Sequence, residues 1–179
     1  MTVDPALIIS TLALVFTILS FWWMNWRMGH LMVSGPRSYA AKGSIEERLI
    51  LRFPFIFFND GPMPIIVQNL RLIFVDEKDA RPLGFTATVK KIKTGENQDR
   101  DLATQFPVHG REALLLICEF QRIPGGMLFE AKKYHMELQA LLGKSQKWKG
   151  ILNFTVNVSE TSIKSINQVF ISYDNMIEE

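Results

Sequence analysis

Cys118, three histidines and a scatter of aspartates are among the groups of this chain able to act as nucleophiles, bases or metal ligands. Their spacing is poor for all three. Structural and catalytic metal sites need His, Cys, Asp or Glu at ligand spacing; His30, His109 and His135 lie far apart, and Cys118 has no CxxC partner. His135 stands two residues before Glu137 on a strand-like stretch, a pair that would need a third ligand from a neighbouring strand. His109 precedes Gly110 in a turn, and an exposed turn histidine accounts for it. Asp60, Asp76, Asp79 and Asp99 fall in separate turns and would bind calcium only if those turns converge. A nucleophilic thiol needs exposure and a lowered pKa, whereas Cys118 shares the alternating face of Leu114, Leu116 and Phe120 and is expected to be an inert core residue. No GxSxG, Walker-type or GxGxxG element is present, and Pro124-Gly125-Gly126 lacks the Lys-Ser/Thr and the helix that make a phosphate loop. Asn153-Phe-Thr155 and Asn157-Val-Ser159 match the glycosylation pattern but sit inside one strand-like run, as chance matches do. We expect no catalytic residue, no metal and no cofactor; His30 is the only axial-ligand candidate for a haem or pigment.

The elements that would have to position such groups begin with a membrane-type segment. Residues 5–26, PALIISTLALVFTILSFWWMNW, contain no charged side chain. As a helix these 22 residues reach roughly 33 Å, enough to cross a hydrocarbon core of about 30 Å. Asp4 suits an N-cap and Pro5 a first turn. The start MTVD carries no Lys or Arg and the run ends in bulky aromatics, unlike a cleaved signal peptide, so the anchor is expected to be retained. Trp22, Trp23 and Trp26, followed by Arg27, form an aromatic belt with a basic flank, the composition of a membrane–water boundary. Basic residues follow the helix (Arg27, Arg37, Lys42, Arg48, Arg52) and none precedes it. This asymmetry places residues 1–4 outside the plasma membrane and the rest in the cytoplasm. Arg27, Arg37 and Lys42 are candidates to meet anionic lipid headgroups, unless they serve only as a topology signal. A single cysteine and a net charge of +2 fit a reducing compartment and argue against nucleic acid as a partner.

Residues 27–47, with Gly35-Pro36 and Gly43-Ser44 as breakers, suggest a basic juxtamembrane linker. From residue 48 to 179 the dominant period is two, the mark of half-buried strands. Leu49, Leu51, Phe53, Phe55 and Phe57 share one face. In IIVQNLRLIFV the expected inward set is Ile66, Leu70, Leu72 and Phe74, with Asn69 and Arg71 outward. FTATVKKIK, EALLLICEF, YHMELQALL and WKGILNFTVNV follow as further strands, and QVFISYD adds an edge strand. Six or seven strands with polar turns predict two packed antiparallel sheets rather than a barrel.

KKYHMELQALL is similar to the penultimate strand of an immunoglobulin-like domain, with Tyr134 placed as the tyrosine-corner residue. Met136 stands where the disulfide cysteine of antibody domains would be. FFNDGPMPIIVQNLRLIF and FPVHGREALLLICEF likewise resemble strand pairs of bacterial immunoglobulin-like domains, so that residues 48–158 are covered. The resemblance implies an immunoglobulin-like β-sandwich behind one transmembrane helix, and fold likeness of this kind carries little about function.

Two strands are apolar on both faces: Ile50, Pro54, Ile56 and Phe58 oppose the core side of the first, and Ile65, Val67, Ile73 and Val75 that of the second. Such a strand is either covered or a docking surface, and the segment 160–177 is one candidate cover. Ile50, Ile56, Phe58, Ile65 and Val67 are the docking candidates. The expectation is therefore a non-enzymatic, single-pass accessory or structural subunit of a larger membrane complex, with a bacterial respiratory or photosynthetic assembly as a natural home and integral membrane subunits and the bilayer as partners. The alternative is a membrane-tethered module binding transient protein or peptide clients; an enzyme built from turns would need His109 or His135 beside a carboxylate in a cleft.

Overall fold

The computed structural model describes residues 4–77, 81–92 and 100–175. Helix α1 spans Pro5–Asn25 and is long and apolar enough to cross a membrane; none of its residues is buried against the rest of the chain. Its start is set locally: the Asp4 carboxylate accepts the Ala6 N–H at 3.0 Å and Pro5 occupies the first turn, where a missing N–H costs nothing. Ser10 and Thr11 return their hydroxyls to the Leu7 carbonyl and Thr17 to that of Ala13, so these polar side chains of the apolar run are satisfied within the helix.

The remainder is mainly β. In chain order come β1 (Leu31–Ser34), β2 (Ser38–Lys42), β3 (Leu49–Asn59), β4 (Ile65–Phe74), β5 (Leu83–Val89), β6 (Arg100–Leu102), β7 (Phe106–Val108), β8 (Ala113–Arg122), β9 (Lys133–Leu142), β10 (Lys149–Asn157), the short helix α2 (Ile163–Ile166) and β11 (Ile171–Asp174). They form one antiparallel sheet in the order β10-β9-β4-β5-β8-β3-β2-β11, with β1 extending the β2 side of β3 and β6 and β7 flanking β5 and β4. The sheet curls on itself. Only two residue pairs, Arg71–Gly84 and Leu72–Leu83, join β4 to β5, and past this bend the ends of the sheet meet. Phe154 of β10 packs edge-to-face on Phe53 and Phe55 of β3, with ring centres 5.2 and 5.6 Å apart.

The core fills the inside of the curl. Phe53, Phe55, Phe57 and Phe120 are fully buried with Leu49, Leu51, Leu70, Leu72, Met136 and Leu138. Each such side chain contributes about 1.5–3 kcal/mol of hydrophobic stabilisation. The closing seam between β10 and the β2–β11 side is bridged by side chains: Tyr39 Oη donates to the Asn157 carbonyl at 2.9 Å, and Asn175 Nδ2 donates to Thr155 O at 2.8 Å.

Three expectations change. Residues 27–47 are not a bare linker, because they contain β1 and β2, and Tyr39, Ala40 and Ala41 are buried. Eleven strands replace six or seven among the described residues, since β1, β2, β6 and β7 are three to five residues long, too short to display a period of two. In β4 a register shift between Val67 and Asn69 turns Val67 into the core and Ile66 outward, reversing the expected alternation at that end.

Candidate functional site

The junction between α1 and the sheet is built from backbone packed on backbone. Gly29, Gly61 and Gly110 meet there: a methyl group at Gly29 would strike Asn59 and Gly61, and one at Gly110 would strike the Pro62 carbonyl. Around this contact several polar groups are committed, although Arg27 Nε is buried without a hydrogen-bond partner among the described residues. Arg27 Nη2 donates to the Asp60 carbonyl at 2.8 Å and the guanidinium lies 4.6 Å over the Trp23 ring. The Asp60 carboxylate accepts the His30 N–H at 2.5 Å. This bond, with the His30 ring and the Arg27 charge, holds the Asp60 carboxyl below the ordinary carboxylate range. Arg111, in the left-handed region at φ 58, sends Nη2 to the Met24 carbonyl at 3.3 Å, where a cation meets the negative end of the helix dipole. The helix therefore leaves the sheet at the Asn59 end of β3. Trp22, Trp23 and Trp26 all stand exposed on that last turn.

Directly beside the junction lies an apolar outer face. Register places Met32 opposite Phe58, Ile56 opposite Leu115 and Pro54 opposite Ile117. Met32 is 50% exposed, Ile56 43% and Leu115 61%, and Phe58 is half-buried among them. Of the five docking candidates, Ile56 and Phe58 belong to this face. Ile50 sits near the far end of β3, opposite Lys42, and Ile65 is half-buried at the start of β4. Val67 is 0% exposed in the core and is withdrawn as a docking residue, for the register shift described above. Leu115 and Met32 had escaped notice because outward apolar residues on β8 and β1 gain meaning only when β3 lies between them.

Further along the same outer surface the chain covers itself. Glu119, 1% exposed, accepts from Arg52 Nε at 2.6 Å and from Arg100 Nη2 at 2.7 Å, and Gln121 adds a side-chain bond. Phe170 lies 4.7 Å from the Arg52 guanidinium. The C-terminal segment thus reaches Arg52, and β11 pairs with β2; neither contact falls on Ile56 or Leu115.

The groups with chemical potential do not gather. His135 Nδ1 meets Asp76 Oδ2 at 3.0 Å, not Glu137, and both partners are more than half exposed. Two hydrogen bonds from His135 hold the Asp76 carboxyl below its ordinary range. Asp60 and Asp76 lie beyond opposite ends of β4, so their turns do not converge; Asp79 and Asp99 lie outside the described residues. Among the described residues no three His, Cys, Asp or Glu side chains could share a metal ion. Cys118 is fully buried, and burial pushes its thiol far up from the ordinary value. Of the lipid-contact candidates, Arg27 lies at the helix exit. Lys42 pairs with Ile50, nine positions from Asn59, roughly 30 Å along the strand, and is bonded to Glu47 at 3.0 Å. Arg37 immediately precedes β2. No protein-family model matches the chain, and no curated protein matches it in sequence.

Proposed function

We propose that this chain is a non-enzymatic, single-pass membrane protein whose β domain docks onto integral membrane partners as an accessory or structural subunit. The observation that carries the reading is the outer face of Met32, Ile56, Phe58 and Leu115, which none of the described residues covers and which adjoins the exit of a membrane-length helix. A contiguous exposed apolar patch of this kind marks an interaction site, and the glycine-packed junction would hold it at a constant height above the bilayer. The distribution of Lys and Arg favours a cytoplasmic domain in the plasma membrane. The immunoglobulin-like reading of the curled sheet gains support from Tyr134, whose hydroxyl accepts the Glu130 N–H four residues upstream at 2.7 Å, the bond of a tyrosine corner.

The ends of the sheet favour a second reading. β10 and β11 end the ladder order of the sheet, and an extended peptide could add to an edge of this kind as a strand, making the chain a tethered module for transient clients. Purification in mild detergent from the native membrane separates the two. A subunit elutes with integral membrane proteins in fixed ratio, whereas a client-binder elutes with substoichiometric, salt-sensitive partners.

A further inference from the structure

We infer that the β9–β10 hairpin is a second membrane contact, its lysines Lys144, Lys147 and Lys149 binding the anionic headgroups of the bilayer that α1 crosses. The inference rests on the membrane-spanning reading of α1. In sequence these lysines lie more than a hundred residues beyond the helix, too far to serve as its topology signal, which acts within about 15–20 residues of a span. Folding alone brings them to it.

Two independent connections place the hairpin at the helix exit. Gly143 donates its N–H to Ile66 O at 2.8 Å and accepts from the Gln68 side chain, which ties the hairpin to the start of β4. That start is tied in turn to Asn59, whose Nδ2 donates to Met63 O at 2.7 Å and Val108 O at 3.2 Å. From the other side, β10 runs alongside β1 in the same direction. A methyl group at Gly35 would sit 3.9 Å from Phe154 Cβ, and four residues back along each strand Leu31 comes abreast of the Lys149–Gly150 start of β10. Leu31 is five residues past the last Trp of the helix.

The charge at this end is lopsided. Lys144, Lys147 and Lys149 are exposed, and none has an ion-pair partner among the described residues. Arg111 adds a fourth positive side chain, bonded among the described residues to the neutral Met24 carbonyl; against these stand Glu112, exposed beside Asn59, and Asp60, already held by Arg27 and His30. On this proposal the three cations stand at headgroup level on the side where the helix leaves the sheet, where anionic lipid attracts Lys and salt screens the attraction. Three together suffice to seat the hairpin and fix the rotation of the domain about the helix. That rotation decides which way the Met32–Leu115 face points.

The test uses the full chain in lipid nanodiscs, with Ser145→Cys carrying a nitrobenzoxadiazole label while buried Cys118 stays unreacted. Quenching by aqueous dithionite is compared in neutral phosphatidylcholine discs and in discs one-third phosphatidylglycerol. In the anionic discs we expect the unaltered chain to quench at least about threefold more slowly than the triple variant Lys144→Gln, Lys147→Gln, Lys149→Gln. The difference is absent from neutral discs and abolished by molar salt; repulsion of the dithionite dianion by the bilayer is common to both chains and cancels. Equal quenching of the two chains in anionic discs would overturn the lipid contact while leaving the membrane span intact. Failure of the chain to co-elute with neutral discs would instead remove the span, and the inference with it.

Discussion

Arg27 is locked to Asp60: its Nη2 donates to the Asp60 carbonyl at 2.8 Å and its Nη1 lies 3.9 Å from the Asp60 carboxylate. This pair, thirty-three residues apart in sequence, ties the residues that follow the helix to the turn after β3. With Gly29 packed on Gly61 there is no room for a side chain at either position. Gly29→Ala is expected to force the junction open while leaving the distant core intact. Hydrogen exchange should quicken at His30 and Asp60, with the amides of β3 and β8 unchanged. Unchanged exchange at His30 would mean the junction is not the clamp described.

Acid should loosen the same point. The folded-state pKa of Asp60 lies below its unfolded value, because the carboxylate accepts the His30 N–H and faces Arg27. Its contribution is therefore complete above the ordinary carboxylate value near pH 4 and is lost as the pH falls through the lower folded value. Protection of the His30 amide, corrected for the intrinsic pH dependence of exchange, is expected to fall below about pH 4. Asp60→Asn, which keeps an acceptor but does not titrate, should flatten that response. Asp76 predicts a parallel loss at His135 in the same direction.

Adjacent residues of β3 have opposite fates. Phe55 is fully buried between Phe53, Phe57, Phe120 and Phe154, whereas Ile56 faces outward. Phe55→Ala is expected to cost about 3–5 kcal/mol, and Ile56→Glu to stay within about 0.5 kcal/mol, both read from chemical denaturation of the purified protein in detergent. A large loss for Ile56→Glu would show that the outer face is covered by the chain itself.

Cys118 should behave as a core methyl-sized group and not as a reagent. Desolvation raises its thiol pKa, so maleimide at neutral pH is expected to leave the native protein unlabelled and to react once denaturant is added. Rapid native labelling would place the β8 face in solvent.

The long strands were legible in the sequence because Phe53, Phe55 and Phe57, and Tyr134, Met136 and Leu138, alternate without interruption. The membrane-length helix was legible from its lack of charge. What the sequence hid has physical causes. The extra residue at the β4 register shift reverses Val67 and Ile66; Gln68 and Asn69, adjacent and both exposed, mark the break, but alternation read from Leu70, Leu72 and Phe74 runs through it. β1 and β2 are short and broken by Gly35-Pro36, and only pairing with β3 reveals them. The Glu119, Arg52 and Arg100 cluster and the lysines of the β9–β10 hairpin depend on sheet order, which no local pattern encodes. Leu115 looked like one apolar residue among several in EALLLICEF until its partner across the ladder was Ile56.

The central claim, that the Met32–Leu115 face docks this chain onto integral membrane partners, is tested most directly by comparing three tagged chains purified in mild detergent from the native membrane. These are the unaltered protein, the double variant Ile56→Glu with Leu115→Glu, and Val75→Glu, whose exposed site lies at the other end of β4. The account predicts integral membrane proteins at fixed ratio with the first and third, and their loss from the double variant although it remains folded. Elution of the unaltered protein alone, or an unchanged partner set with the double variant, would contradict it.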